Sequence, residues 1–344
     1  MTDWGSPAFN ITIEGQDKGF ICHGSDTLLG GALRAGFGVP YECGAGGCGS
    51  CKFELIHGEV EESRGEAPGL RPADRRKGKR LACISNPRSD CQIRVRCDPI
   101  YQPKIEPVRH DAKFVTCIPL THDLWEFRFE TTEAADFLPG QYAKLELPGV
   151  HGTRSYSMSN IKNAEGQWHF QIKRVVEGEA TSVLFERLTP SQCIVIDAPY
   201  SIAHLKEGPP CSTVCIAGGS GLAPMVSILR GLGMLDGGAK NAVLYYGARG
   251  PDDVVDSKLF ADIDGFDPKR QYRPVISDTD LDPDRRWSGP VGMVHEFIAD
   301  DLSEDGDDTE FYIAGPPPMV DAVRRHLVLE RHVSVDRLHY DRFY

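Results

Sequence analysis

Cys43-Gly44-Ala45-Gly46-Gly47-Cys48-Gly49-Ser50-Cys51 sets three cysteines at C-x4-C-x2-C spacing, and Cys83 follows downstream as a lone fourth. Four thiolates so spaced hold a [2Fe–2S] cluster. The glycines have a physical purpose. Three thiolates from one loop must converge on one small group, which forces tight turns, and Gly44, Gly46, Gly47 and Gly49 supply that freedom. Backbone N–H groups then point at the sulfurs and hold the extra charge of the reduced state. Four cysteines also suit Zn²⁺, but zinc ribbons use two C-x2-C knuckles and only one is present. The other seven, Cys22, Cys91, Cys97, Cys117, Cys193, Cys211 and Cys215, lack the spacing and read as small buried hydrophobes.

Around this loop the chain has 344 residues, enough for two or three domains. No run of about 18 apolar residues exists, so no membrane span is expected. The start, Met1-Thr2-Asp3-Trp4, has no basic region leading into an apolar one, so no signal peptide is read and a cytoplasmic location is expected. Metal or redox roles for the cysteines fit that setting better than disulfides. Residues 1–100 carry 13 Lys+Arg and 13 Asp+Glu, so the net charge of −12 falls on the remainder. That balance argues against nucleic-acid binding. The basic run Arg75-Arg76-Lys77-Gly78-Lys79-Arg80 ends just before Cys83 and reads as a docking patch beside the cluster; an ordinary solvated face is the plain alternative.

Punctuation divides the chain into three blocks. In residues 1–100, strands are expected at Ala8–Ile13, Phe20–Cys22, Phe53–Ile56 and Gln92–Arg96. A helix over Thr27–Ala35 is expected to be capped by Asp26 and ended by Gly36. Pro99, Pro103 and Pro107 mark an extended linker. Residues 108–206 read as strands at Phe114–Ile118, Leu124–Phe129, Tyr142–Leu147, His169–Lys173 and Cys193–Ile196, which predicts an antiparallel barrel. Residues 208–344 alternate strands (Thr213–Ala217, Ala242–Tyr246, Arg273–Ile276, Phe311–Ala314) with helices (Ala223–Leu232, Met319–Leu329). That rhythm predicts a parallel sheet with ligands at its C-terminal edge.

Two sets of motifs point to nucleotides. Arg154-Ser155-Tyr156-Ser157 follows Pro139-Gly140-Gln141-Tyr142 at the distance of a strand and a turn. An arginine fork suits a pyrophosphate, Tyr156 on the same strand face suits a ring, and Ser157 suits a flavin's reactive edge. Gly178-Glu179-Ala180-Thr181-Ser182 leads into a helix-like Val183–Leu188, which reads as a diphosphate site or a simple cap. In the last block Gly218-Gly219-Ser220-Gly221-Leu222-Ala223-Pro224 is a glycine turn from strand to helix. Tyr246 and Arg249 after the next strand, and Gly315, Pro316 and Met319 after a later one, would line the same sheet edge.

Together with Pro40-Tyr41-Glu42-Cys43, Glu66-Ala67-Pro68-Gly69-Leu70, Arg80-Leu81-Ala82-Cys83 and Leu338–Tyr344, these motifs resemble the ferredoxin–FAD–NAD reductases of bacterial oxygenases. The reductases of soluble diiron monooxygenases of the toluene, alkene and isoprene type are the most similar group. The resemblance implies a multidomain α+β and α/β chain: a plant-type ferredoxin with a β-grasp fold, a β-barrel for FAD and a Rossmann-like domain for NADH, with NADPH less favoured. It implies that Cys43, Cys48, Cys51 and Cys83 ligate the cluster. Arg154, Ser155, Tyr156, Ser157, Lys173, Gly178, Thr181 and Ser182 would serve FAD. Gly218, Gly219, Ser220, Gly221, Pro224, Tyr246, Arg249, Gly315, Pro316 and Met319 would serve the nicotinamide, and Phe343 or Tyr344 would cover the flavin face. Two departures stand out. The chain has Ala314-Gly315-Pro316 where many relatives have Cys-Gly-Pro, and Ala198-Pro199-Tyr200-Ser201 where relatives often have Gly-Pro-Tyr-Gly.

The implied route takes hydride from NADH to FAD, then single electrons through the cluster to a hydroxylase or its Rieske ferredoxin, with the chain acting as a monomer. Asp252 and Asp253 would disfavour a 2′-phosphate, whereas Arg249 would welcome one. A reductase for a Rieske dioxygenase or a deoxysugar dehydratase is the alternative acceptor reading. A sensing protein with a purely structural cluster is the alternative of another class.

Overall fold

The computed structural model describes residues 5–63, 65–208, 212–282, 284, 286–301 and 309–344. The first hundred residues supply β1 (Ala8–Ile13), β2 (Phe20–His23), α1 (Leu28–Arg34), β3 (Lys52–His57), β4 (Val60–Glu62), α2 (Pro72–Arg76), β5 (Lys79–Leu81), β6 (Ser85–Pro87) and β7 (Cys91–Val95). Five of the strands form a sheet in the order β2-β1-β7-β3-β5, with β1 and β7 parallel. Helix α1 lays Leu28, Leu29, Ala32 and Leu33 into its core, which makes a β-grasp. Gly31 permits the close approach, because a Cβ there would meet the Cys22 sulfur at 2.9 Å. The expected cap is corrected by one residue. Thr27, not Asp26, caps α1 by accepting the Gly30 N–H, while the buried Asp26 carboxylate takes the Arg34 guanidinium at 2.8 Å.

The middle block supplies β8 (Val108–Pro119), β9 (Leu124–Glu130), β10 (Tyr142–Glu146), β11 (Thr153–Ser157), β12 (Gln167–Lys173), α3 (Glu179–Ser182) and β13 (Cys193–Tyr200). Their order is β11-β10-β13-β8-β9-β12, and every neighbouring pair is antiparallel. A bridge between Met158 and Phe170 joins the two outer edges, closing a barrel around Phe127, Phe129, Trp168 and Phe170. Strand β8 starts at Val108, earlier than its apolar pattern predicts, because residues 108–113 are placed by pairing with β13. The helix expected over Val183–Leu188 is one α turn, α3, continued by a π turn at Val183–Arg187.

The last block supplies β14 (Ser212–Gly218), α4 (Leu222–Gly233), β15 (Ala242–Ala248), α5 (Pro268–Gln271), β16 (Tyr272–Ile276), β17 (Thr309–Gly315), α6 (Pro317–Arg325) and β18 (Leu338–Arg342). They form a wholly parallel sheet in the order β16-β15-β14-β17-β18. Strand β18 was not expected, because its polar alternation is that of an edge strand. Helix α6 ends in a π turn at His326–Glu330. Cys22, Cys91 and Cys215 are buried, but Cys193, at the start of β13, is exposed and no core residue. Cys211 and residues 302–308 of the acidic stretch lie outside the described residues. No described helix is long and apolar enough to cross a membrane.

Candidate functional site

The four cysteines of the spacing argument come together between α1 and β5. The sulfurs of Cys43 and Cys48 lie 3.5 Å apart, and Cys51 and Cys83, both buried, act on one another electrostatically. The Cys43 sulfur accepts the N–H groups of Ala45, Gly47 and Cys48 at 3.4, 3.2 and 3.3 Å, and the Cys48 sulfur accepts that of Ser50. Positive φ at Gly44, Gly46 and Gly49 turns the backbone so that these donors face inward. Among the described residues no three of the four sulfurs lie within 4.8 Å of one another, whereas a zinc tetrahedron with bonds of about 2.3 Å would gather all four. Two pairs of thiols fit a binuclear cluster. Cys48 is the least buried of the four. Residues 66–70 pack straight onto this loop: the Gly69 N–H bonds the Gly46 carbonyl, and a Cβ on Gly49 would meet the Gly69 carbonyl at 2.3 Å.

Beside the loop opens a cavity of about 1140 Å³. That exceeds the roughly 300–1,000 Å³ of a single-ligand pocket and suits two ligands side by side. The barrel contributes Arg154, Ser155, Tyr156 and Ser157 from β11, Lys173 from β12, and Gly178 and Thr181 from the turn that opens α3. Gly218, Gly219 and Ser220 follow β14, Tyr246 and Arg249 close β15, and Pro316 and Met319 open α6. Phe343 and Tyr344 complete the wall. Ser182, Gly221, Pro224 and Gly315 do not line the cavity. Gly221 is set by packing instead, since a Cβ there would meet the Ala314 carbonyl at 2.0 Å.

At the end of β15 the charges are already paired. Arg249 bonds Asp253 at 2.8 Å and Asp123 at 3.0 Å, and Lys173 lies 3.2 and 3.3 Å from the same two carboxylates. Burial opposes ionisation of Asp253, but Arg249 and Lys173 overcome it and hold its carboxyl down at about 2. His122, Asp123 and Asp253 are spaced like metal ligands, yet the two basic side chains occupy that corner.

Three family models match in the same order as the sheets: a 2Fe-2S iron-sulfur cluster binding domain over residues 11–88, an oxidoreductase FAD-binding domain over 111–204 and an oxidoreductase NAD-binding domain over 215–325. The chain is 40% identical over 340 residues to the ferredoxin–NAD(P)⁺ reductase CarAd of Metapseudomonas resinovorans, covering 98% of this chain and 100% of that one. The chain belongs to the ferredoxin–NAD(P)⁺ reductases. The reductase is also 37% identical, over 95% of its length and 98% of the relative's, to the ferredoxin–NAD⁺ reductase component of the alkene monooxygenase system of Xanthobacter autotrophicus. Its fold superposes on the ferredoxin reductase in carbazole 1,9a-dioxygenase with a TM-score of 0.88 at 35% identity, covering 98% of this chain and 99% of that one. It is thus an oxidoreductase with domains for a [2Fe–2S] cluster, FAD and a nicotinamide, as the motifs implied.

Several site residues of the reductase escaped the sequence reading. Glu42, Cys43 and Ala45 line the nucleotide cavity, so the cluster loop is itself one of its walls. The Ser155 hydroxyl donates to the Cys43 carbonyl at 3.2 Å, and the Tyr142 hydroxyl donates to the Glu42 carbonyl at 3.1 Å. Arg342 of β18 closes a two-pronged pair on Glu42 at 3.0 Å. Residues 198–201 do not line the cavity. Ser201 bonds Asp341 at 2.9 Å and the Tyr41 hydroxyl at 2.9 Å, so this segment ties the three sheets to one another. Burial pushes the Asp341 carboxyl up to about 8. The terminal aromatics divide their places. The Phe343 N–H bonds the Gly315 carbonyl at 2.9 Å. The Tyr344 ring lies on Gly47, where a Cβ would come within 2.2 Å of it.

Proposed function

We propose that this reductase oxidises NADH and delivers electrons singly, through the four-cysteine site, to the hydroxylase of a multicomponent diiron monooxygenase. The shared wall carries this reading: Cys43 and Ala45 of the cluster loop line the same cavity as Ser157 and Gly219. Bound flavin supplies the conversion between two-electron and one-electron transfer. The side chains do the rest. Arg154 and the turn at Gly178 and Thr181 hold the flavin diphosphate, Tyr156 backs a ring, and Ser157 presents its hydroxyl toward the reactive edge. Gly218, Gly219 and Ser220 let the nicotinamide pyrophosphate approach the backbone, between Tyr246, Pro316 and Met319. Phe343 or Tyr344 covers the flavin face until the nicotinamide takes its place. Cys43, Cys48, Cys51 and Cys83 would together hold the [2Fe–2S] cluster that accepts single electrons. Domain limits of 1–100, 108–206 and 208–344, a monomeric state and a cytoplasmic location complete the proposal.

NADH is the proposed coenzyme, because Arg249, the arginine that would welcome a 2′-phosphate, is held by Asp123 and Asp253. Asp123→Asn frees part of that charge and is expected to raise NADPH turnover relative to NADH by about tenfold. Steady-state rates with both coenzymes check this, and an unchanged ratio would count against it.

The acceptor is proposed to dock on α2. Arg75, Arg76 and Lys77 are exposed there, and Arg71 just before it directly follows the segment that packs on the cluster loop. A basic patch recruits an acidic partner face and makes the rate salt-dependent. Reversing both charges (Arg75→Glu with Arg76→Glu) is expected to slow reduction of a diiron hydroxylase roughly tenfold at low salt. Ferricyanide reduction at the flavin stays unchanged. Equal hydroxylase rates for variant and parent would defeat the docking assignment. A dioxygenase acceptor is the second reading, favoured by the likeness to the reductase in carbazole 1,9a-dioxygenase. The same assay with a Rieske ferredoxin decides between them.

A further inference from the structure

Strand β10 alternates cleanly. Ala143 and Leu145 point into the barrel core, while Tyr142 and Lys144 point out of it, toward the β-grasp domain. Tyr142 in that row belongs to the hydrophobic core of the first domain and hydrogen-bonds the cluster loop. Lys144, the next residue on that face, is only 3% exposed. A lysine so buried needs a reason, since an ammonium taken out of water is costly.

Its surroundings supply one. A Cβ on Gly44, the residue after the first cysteine, would stand 3.3 Å from Lys144 Cε. The lysine stem therefore runs along the cluster loop itself. The cross-strand neighbour of Lys144 on β11 is Ser155, which donates to the Cys43 carbonyl, and its neighbour on β13 is Asp197. The ammonium lies over the Tyr200 ring, 4.2 Å from its centre. Behind it, Arg34 joins Asp197 and Asp26 at 2.8 Å each. The buried Lys144 and the partly exposed Arg34 are thus matched by the buried carboxyls of Asp197 and Asp26.

We propose that Lys144, delivered by the flavin barrel, sets the reduction potential of the cluster by stabilising its reduced form. The inference rests on the four cysteines holding a [2Fe–2S] centre. Reduction moves one electron from the reduced flavin to the cluster, with no bond made or broken, so the cluster side gains one negative charge. A cation fixed in low dielectric beside that charge favours the gain more than it would in water. Because the lysine comes from the domain that binds the flavin, the potential is tuned only when the two domains are docked. Lys144 is a positioning charge and touches neither reacting ring.

The test uses the full chain with both groups bound. Dye-mediated redox titration reads the cluster by low-temperature EPR and the flavin by visible absorption, in the parent, Lys144→Met and Lys144→Arg. The methionine variant is expected to shift the flavin–cluster electron equilibrium at least tenfold toward the flavin, which is about 59 mV for a one-electron couple. The flavin potential stays in place, and arginine restores the parent value within threefold. A methionine variant with the parent's cluster potential, or an equal shift of both centres, overturns the proposal. Should the methionine variant load no cluster, Lys144→Gln takes its place under the same criterion. If neither neutral variant loads one, the residue serves assembly and the proposal fails. A parent protein without a reduced-cluster signal would sink the cluster assignment itself, which separates the two failures.

Discussion

Replacing Cys83 with serine is expected to abolish electron delivery while leaving flavin chemistry intact. Cys83 stands alone on the short turn after β5, so no neighbouring cysteine in its segment can substitute for it. It is buried and acts electrostatically on Cys51, while the sulfurs of Cys43 and Cys48 lie together. Removing it leaves one iron short of a ligand, and the cluster is lost or reorganised. Cytochrome c reduction, which draws on the cluster, should fall by about 100-fold or more. Ferricyanide reduction, which draws on the flavin, should hold. The ratio of the two activities in one preparation is the reading to take. A variant that loses both together would mean the first domain is needed for the flavin fold, and one that loses neither would remove the cluster from the electron path.

Arg154→Ala carries the second large effect. The guanidinium lies at the cavity wall, where it bonds the carbonyls of His151 and Thr153 at 3.1 Å and the exposed Glu179 carboxylate at 3.1 Å. These are contacts an incoming diphosphate can keep in part and replace in part. A charge-assisted pair of this kind contributes about 1.5–3 kcal/mol, which corresponds to roughly 10–100-fold in affinity. The variant should therefore purify largely without flavin and regain activity when FAD is added in excess. Isothermal titration of the flavin-free protein gives the number. An unchanged affinity would assign the diphosphate to the Gly178–Thr181 turn alone.

The parts of this molecule that were legible from the chain share one property: their chemistry is local. The C-x4-C-x2-C loop, the β11 motif and the glycine turn after β14 each carry within about ten residues the reason for their own conformation. The barrel was legible through its alternation, and the last domain through its strand–helix rhythm. What escaped was whatever depends on a partner far along the chain. Strand β18 is polar because it is an edge, and only its pairing with β17 makes it a strand. Residues 108–113 of β8 are likewise fixed by β13. Asp26 looked like a helix cap because it directly precedes the residue that caps α1, but burial gives its carboxylate to Arg34.

The site divides in the same way. Arg154, Ser157 and Gly219 carry motifs that announce them and do line the cavity, whereas nothing in the neighbourhood of Glu42 and Ala45 announces that the cysteine loop forms one of its walls. That wall is built by pairs 100 to 300 residues apart, such as Tyr142 with Glu42 and Arg342 with Glu42. Gly221 and Pro224 of the glycine turn do not line the cavity; Gly221 lies against the β17 backbone and Pro224 is buried in α4.

The central claim is that electrons entering the cavity from NADH leave through the four-cysteine loop. Anaerobic titration of the purified, iron-replete protein with NADH, followed by visible absorption and low-temperature EPR, tests it directly. The account predicts bleaching of the flavin and cluster bands together, with a rhombic signal from the reduced [2Fe–2S] centre. Flavin bleaching with no cluster signal would contradict it.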